Sequence, residues 1–501
     1  MPSGRHRLGE MTTEKTQESS SGTGRKPRWR RFLAAGYLVF QVLGILSAIE
    51  AVMATRTAQG AIAWSVSLVA APVVAVPAYW LFGRNKFEGY LEARRQNQEE
   101  IDSLVDDIRL RMGTSIVEFE TSAPNYDAIR GLSERPLTRG NRVELLVDGE
   151  ATFNSILRGI AEAERTVLVQ FYIVHDDGLG RRLADAMIER ARAGVMVAFL
   201  YDEVGSSEMT DEYLADLREA GVRVSPFNTT QGWRNQFQIN FRNHRKIVVV
   251  DGRTAWIGGH NVGDEYLGLD DVLTPWRDTH VRVDGPMAIQ AQGVVAEDWY
   301  WAQRELLPLD WDPQPVEGSD VKAMVMATGP ADPLETAGMF FVHALNAAQE
   351  RIWITAPYFV PDEAVIKALM LASLRGVDVR ILLPGITDNL PVKMASYHYI
   401  HLLEGSDVHF CEFQDGFIHE KVMLVDDAVA SVGTHNFDNR SFRLNFEVAA
   451  LVWDEPFARE VEAMLSHDLA RCEPVPPGAF DEKPFWWRLG SQVARLAAPI
   501  F

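Results

Sequence analysis

The stretch Asn243-His244-Arg245-Lys246-Ile247-Val248-Val249-Val250-Asp251 places a lysine two residues after a histidine and an aspartate seven residues after it. Between the lysine and the aspartate run four branched apolar residues, which predict a buried strand. The pattern is H-x-K-x4-D, followed by Gly258, Gly259 and Asn261. It returns as His419-Glu420-Lys421, then Asp426, Gly433, Thr434 and Asn436. From each histidine, the lysine, the aspartate, the first glycine and the asparagine fall at the same offsets. A single His near a Lys reads as a surface pair; two matched copies read as an internal duplication.

The segments around the two copies repeat as well. In the first, Val143–Val147, Thr166–Ile173, Met196–Tyr201 and Val222–Phe227 read as strands, with helices over Leu179–Arg192 and Asp211–Ala220. Lys246–Val250 and Thr254–Ile257 form a strand pair joined at Asp251-Gly252. In the second, Arg351–Ala356 and Val379–Leu383 are strands, Glu363–Leu374 is a helix, and Lys421–Val425 with Ala430–Val432 is the matching pair. The expected fold class is α/β: two α-β-α halves in pseudo-twofold duplication, 141–312 and 313–475, meeting face to face over one shared site.

The N-terminal region has a different character. Residues 1–31 form a polar tail, read as disordered to about residue 24, that ends in Arg25, Lys26, Arg28, Arg30 and Arg31. Two apolar runs follow, Phe32–Ala54 and Ala61–Phe82, each long enough to cross a bilayer core of roughly 30 Å. Pro72 and Pro77 are tolerable in a membrane helix. The expectation is a two-helix transmembrane hairpin over 32–82. Arg84, Lys86, Arg94 and Arg95 follow it and only Arg56 lies in the link, so both ends are expected on the cytoplasmic side of the cell membrane. The linker region, 83–140, is charged and helix-prone as far as Met112.

The 501 residues are too many for one ordinary domain, and 47% are hydrophobic. A net charge of −20 argues against a nucleic-acid partner, which calls for a basic field. Cys411 and Cys472 could pair, but two cysteines make no disulfide framework. There is no metal-ligand spacing of His and Cys.

The repeated residues fit phosphoryl chemistry. One histidine can attack phosphorus while the other protonates the leaving alcohol and deprotonates the incoming one. Lys246 and Lys421 would hold the non-bridging oxygens, and Asn261 and Asn436 would add neutral donors. Two lysines supply the positive charge, so no metal or other cofactor is expected. The candidate catalytic set is therefore His244, Lys246, Asp251, His419, Lys421 and Asp426. Asp251 and Asp426 sit beside turns and are read as braces of the motif loops rather than as reacting groups. Asp278 and Glu447 are candidates to orient the imidazoles, each with an ion pair to a nearby arginine as the alternative.

This constellation is similar to the phospholipase D superfamily. Ile257-Gly258-Gly259-His260-Asn261-Val262-Gly263-Asp264-Glu265-Tyr266, Trp276-Arg277-Asp278-Thr279-His280 and Asn439-Arg440-Ser441-Phe442-Arg443-Leu444-Asn445-Phe446-Glu447 resemble its bacterial cardiolipin synthase branch. The resemblance covers nearly everything from Arg31 to the end of the second half. It implies that a phosphatidyl group passes from one phosphatidylglycerol to another, through a phosphohistidine, giving cardiolipin and glycerol. It implies His244 as nucleophile, His419 as acid/base, and Asp278 and Glu447 as the orienting acids. The expected partners are phosphatidylglycerol and an anionic lipid membrane.

Some positions depart from the pattern. Gln170 stands where an acid is common. His260 and His435 fill slots usually small or apolar; they either reach the mouth of the site or pack locally. Glu420 is expected to point away from the site. At the C-terminal end, within 476–501, Phe485, Leu489, Val493 and Leu496 share one helical face, which suits either a membrane interface or docking on the body. The alternatives to a synthase are a hydrolase or a transferase with another alcohol acceptor. A membrane-tethered nuclease and a non-catalytic lipid-binding scaffold are more distant.

Overall fold

A computed structural model describes residues 28–55, 57–83, 90, 98–117, 124–133, 135–227, 240–269 and 273–500. The tail as far as residue 27, with Arg25 and Lys26, lies outside the described residues, as does most of 84–97. The chain divides into two units, 1–79 and 80–501.

In the first unit, Arg28–Ala54 is one helix. Its apolar part, Phe32–Ala54, is long enough to cross a membrane. The second apolar run departs from expectation. It forms two shorter helices, Ala58–Ala70 and Pro72–Phe82. Proline biases the residue before it away from helical geometry, and Ala71 adopts φ −137° and ψ 57°. Thr57 caps the first of these helices, its Oγ1 accepting from Gly60 N at 3.1 Å. The long helix packs on Ala58–Ala70 through Gly44, where a Cβ would stand 2.4 Å from the Leu68 carbonyl oxygen. Gln41 Nε2 donates to the Val69 carbonyl at 3.2 Å.

The second unit is organised by one long mixed sheet. The first half contributes, from its outer edge inward, Arg223–Pro226, Met196–Tyr201, Thr166–Phe171, Ile247–Val250, Thr254–Gly258, Thr279–Asp284 and Thr138–Val147. The second half repeats this order outward as Val321–Thr328, Asn445–Trp453, Val429–Gly433, Val422–Val425, Arg351–Thr355, Asp378–Pro384 and Val408–Phe413, with Cys472–Pro474 added at the edge. The two central strands pair antiparallel, with Asn141 opposite Val321. Arg223–Pro226, Met196–Tyr201 and Thr166–Phe171 run parallel, as do Val408–Phe413, Asp378–Pro384 and Arg351–Thr355, and in each half the motif strand joins these three antiparallel.

The halves also meet face to face. Because side chains alternate along a strand, Ile247 and Val249 point to one side and Val248 and Val250 to the other. The first pair enters a core shared with Val422, Leu424, Val448 and Ala450 of the second half. The second pair enters the outer layer of its own half, under the helices that carry Phe153, Leu183 and Leu217. Pro286–Gln303 packs on the shared core, and Glu455–Leu469 adds Phe457 and Leu465 to it. Cys411 and Cys472 are both free thiols, so the pairing that the sequence left open is not made.

Candidate active site

His244 and Lys246 lead into the strand Ile247–Val250, and His419 and Lys421 lead into Val422–Val425. Asp251 and Asp426 stand at the opposite ends of those strands. Both adopt positive φ, 54° and 50°, which aspartate tolerates better than most residues. Asp251 accepts from the backbone amides of Glu164, Arg165 and Thr166 at 2.7–2.9 Å. Asp426 accepts in the same way from Gln349, Glu350 and Arg351. Each aspartate thus ties down the start of the neighbouring strand, Thr166–Phe171 or Arg351–Thr355.

The two imidazoles are held across the seam between the halves. His244 Nδ1 lies 2.8 Å from Oε2 of Glu447, in the second half. His419 Nδ1 lies 2.7 Å from Oδ2 of Asp278, in the first. Each half therefore places a carboxylate on the other half's histidine. Glu447 is itself fixed by Thr434 Oγ1 at 2.5 Å, Ser441 Oγ at 2.7 Å and Asn445 Nδ2 at 3.0 Å. Asp278 accepts from Thr279 N at 2.8 Å. It also explains Gly259, where a Cβ would come within 2.0 Å of Asp278 Oδ1. Lys246 Nζ donates to the His244 carbonyl at 2.8 Å, and Lys421 Nζ donates to the His419 carbonyl and lies 2.8 Å from His419 Nδ1.

Aromatic walls close around these groups. Tyr172 stands edge-on to His244 at 4.9 Å and beneath Lys246 Nζ at 5.3 Å. Trp276 lies 5.1 Å from the His419 ring, and Phe417 lies 5.8 Å from it. The sequence reading missed Tyr172 and Trp276, since an aromatic at a strand end ordinarily signals packing.

Burial and the local charges set the protonation states. Burial pulls His244 down to about 4; Glu447 opposes this, while Lys246 and Lys421 reinforce it. Burial, Lys421 and Lys246 pull His419 down to about 3 against the hydrogen bond and charge of Asp278. Each histidine feels the lysine of the other half, so the four groups form one centre. Burial also lowers Lys246 to about 7 and Lys421 to about 8. Burial alone would raise Glu447, but His244, His435 and Lys246 hold it at about 2.

A pH dependence follows. Both imidazoles are neutral above pH 5, so the ammoniums carry the positive charge of the centre. A lysine is charged below its pKa and loses that charge as the pH rises through it. A tetrahedral oxyanion such as tungstate is therefore expected to bind about tenfold or more weakly at pH 9 than at pH 6.5. Calorimetric titration checks this, and a flat profile contradicts it.

The remaining candidates are placed as follows. Asn261 ties the wall, its Oδ1 accepting from Ile173 N at 3.1 Å and its Nδ2 donating to Tyr266 Oη at 3.0 Å. Asn436 is buried and its Oδ1 has no hydrogen-bond partner among the described residues. His260 and His435 do not reach the mouth of the site. Both are buried, His260 Nδ1 at 3.0 Å from His280 Nδ1 and His435 Nε2 at 2.9 Å from Thr328 Oγ1.

The free slots of the two motifs clamp the seam. Arg245 pairs with Asp298 at 2.7 Å and donates to the carbonyls of Glu447 and Thr328, across the seam. Gln170 joins the same cluster, 2.7 Å from Asp298. Glu420 points away from the histidines and toward the first half, where it meets Arg277 Nη2 at 2.9 Å and Thr279 Oγ1 at 2.7 Å. Arg277 also holds Asp468 through two bonds, at 3.0 and 2.8 Å.

Two His–Lys pairs in one centre, each imidazole held by a buried carboxylate of the opposite half, define a duplicated protein of the phospholipase D class. The comparisons agree and go further. Residues 156–273 and 341–469 match the family described as "Cardiolipin synthase, PLD-like domain". The chain is 47% identical to Cardiolipin synthase A of Pseudomonas fluorescens over 471 residues, which is 93% of this chain and 98% of that protein. It is 48% identical to Cardiolipin synthase A of Pseudomonas aeruginosa over 463 residues, 92% of this chain and 94% of that one. A phosphatidylserine synthase from Haemophilus influenzae shares the fold, with a TM-score of 0.56 at 15% identity over 75% of this chain and 100% of that one. The chain belongs to the cardiolipin synthase family of phospholipase D-like proteins.

Proposed function

We propose that the protein is a cardiolipin synthase acting on phosphatidylglycerol, with His244 as nucleophile and His419 as acid/base. The observation that carries the mechanism is the pair of carboxylates on the two Nδ1 atoms, Glu447 on His244 and Asp278 on His419. A carboxylate on Nδ1 keeps the proton there and leaves Nε2 free to react. His244 Nε2 attacks the phosphorus of the first phosphatidylglycerol, and the bond from phosphorus to the glycerol oxygen breaks. His419 gives that oxygen its proton, and glycerol leaves.

A glycerol hydroxyl of a second phosphatidylglycerol then loses its proton to His419 and attacks the phosphorus. The P–N bond to His244 breaks and cardiolipin is released. Two phosphatidylglycerols thus give one cardiolipin and one glycerol. The phosphodiester brings negative charge between the imidazoles, which opposes the burial that keeps His419 neutral and lets it carry the proton. Lys246 and Lys421 stabilise the non-bridging oxygens. The choice of His244 over His419 as nucleophile rests on the family resemblance.

The same reading takes residues 32–82 across the cell membrane twice, with the catalytic part on the cytoplasmic side. Arginines and lysines on both flanks and a single Arg56 in the link support it. The test is lipid analysis by mass spectrometry after the full chain is placed in phosphatidylglycerol vesicles, beside His244→Ala. Cardiolipin with glycerol release, absent in the variant, is the expected result. Phosphatidic acid alone would make the protein a hydrolase, and unchanged lipid would remove phosphatidylglycerol as substrate.

A further inference from the structure

Among the described residues, the helix Phe485–Leu496 is held to the body by one side. Ser491 is buried and donates Oγ to the Met394 carbonyl at 2.6 Å. Gly490 faces Met394, where a Cβ would come within 2.4 Å of Cε. Trp487 stands edge-on to Tyr397 at 4.9 Å, and Gln492 and Arg495 reach the two ring nitrogens of His398 at 3.1 and 3.0 Å. Docking, which the sequence set against lipid contact as an alternative, thus uses Trp487 and the small and polar residues of the helix and leaves the Phe485, Trp486, Leu489, Val493 and Leu496 side outward.

At 100° per residue, Phe485, Trp486, Leu489, Val493 and Leu496 fall within an arc of about 100°. Their exposures are 73%, 67%, 53%, 58% and 73%. Arg488 and Arg495 line one flank of this stripe, Arg488 with Asp481 at 3.8 Å. The other side of the helix leads toward the site. Ala494 and Ala498 pack with Val360, whose strand pairs with Phe437–Asp438 directly after Asn436.

We propose that this stripe is a lipid-surface seat, lying in the boundary between headgroups and acyl chains beside the second motif. A tryptophan and arginines bordering a stripe of Phe, Leu and Val are the composition that settles at an anionic lipid boundary. A second copy of the chain or a protein partner would have no need of the basic flank. The proposal rests on the lipid-substrate reading, because a phospholipid must leave a bilayer to reach the imidazoles. A seat one layer from Asn436 shortens that path.

The first test does not depend on turnover. A nitroxide on Val493→Cys, in a chain with Cys411→Ser and Cys472→Ser, is read by power saturation in phosphatidylglycerol vesicles. The expected result is high collision with oxygen and low collision with a water-soluble nickel complex. Free collision with nickel overturns the seat, as does shielding from both, which would indicate a protein occupant. The second test is the double variant Leu489→Glu with Val493→Glu. Turnover on vesicles is expected to fall about tenfold, while turnover of dispersed short-chain phosphatidylglycerol stays within about twofold. Equal loss on both substrates, or none on vesicles, overturns the proposal. If the unmodified chain makes no cardiolipin, the substrate reading fails and the nitroxide depth still decides the seat.

Discussion

Glu447→Gln lowers the rate of cardiolipin formation by roughly 100- to 10,000-fold while the protein remains folded. Glu447 is buried and its carboxylate accepts from His244, Thr434, Ser441 and Asn445. Gln keeps the shape but removes the charge; Asn445 Nδ2 draws the amide oxygen to its own side and turns the NH2 toward Nδ1 of His244, so the tautomer is no longer fixed with Nε2 free. The charge of the imidazolium formed in the reaction also goes unbalanced. Asp278→Asn acts on the other histidine, His419, and is expected to cost a similar factor. On a His244→Ala background Glu447→Gln costs nothing further, because the two residues act as one unit. Turnover in phosphatidylglycerol vesicles measures all three. A loss under about tenfold for Glu447→Gln would show that the carboxylate does not work through His244.

Arg277→Met is the largest expected loss of stability, about 3–5 kcal/mol. Arg277 is buried with Asp468 and Glu420, and its Nη1 reaches Asp148 at 3.0 Å. Removing the guanidinium leaves buried carboxylates without this cation, although Arg471 still reaches Asp468. Met fills similar space, so the loss reports charge rather than a cavity. Two of the partners, Glu420 and Asp468, lie in the second half, so the cluster fastens the halves as well as the local strand. Denaturant unfolding in detergent, followed by tryptophan fluorescence, reads the change. A loss below about 1 kcal/mol would mean that the cluster holds nothing together.

The parts of the molecule that could be read beforehand are those with local signals. The strand Ile247–Val250 and its partner Thr254–Gly258 follow from branched apolar runs around an Asp-Gly turn, and the second copy follows from the same pattern. The backbone contacts of Asp251 follow from its place beside a turn, where backbone amides lie within reach. The crossing of the orienting acids was not legible. Glu447 lies 203 residues from His244, and Asp278 lies 141 from His419, so no spacing rule links either pair.

Arg245 and Glu420 occupy the unspecified slots of the motifs, and only the seam gives them work. The central strand Thr138–Val147 is interrupted by Arg139, Asn141, Arg142 and Glu144, which hid its amino-terminal part from a hydropathy reading. His260 and His435 take the local-packing reading of the two that their slots left open, buried against His280 and Thr328. The second apolar run was expected to continue through Pro72, and the bias on Ala71 broke it.

The central claim is a covalent phosphatidyl group on His244, and the direct measurement is peptide mass spectrometry of the full-length His419→Asn protein. The protein is mixed with phosphatidylglycerol vesicles and quenched in alkali, where phosphohistidine survives. With the acid/base slowed, the account predicts a phosphatidyl adduct on the peptide carrying His244, and no adduct when His244 is also replaced. Cardiolipin formed with no adduct on His244, or an adduct on His419 in the reciprocal His244→Asn protein, would contradict it.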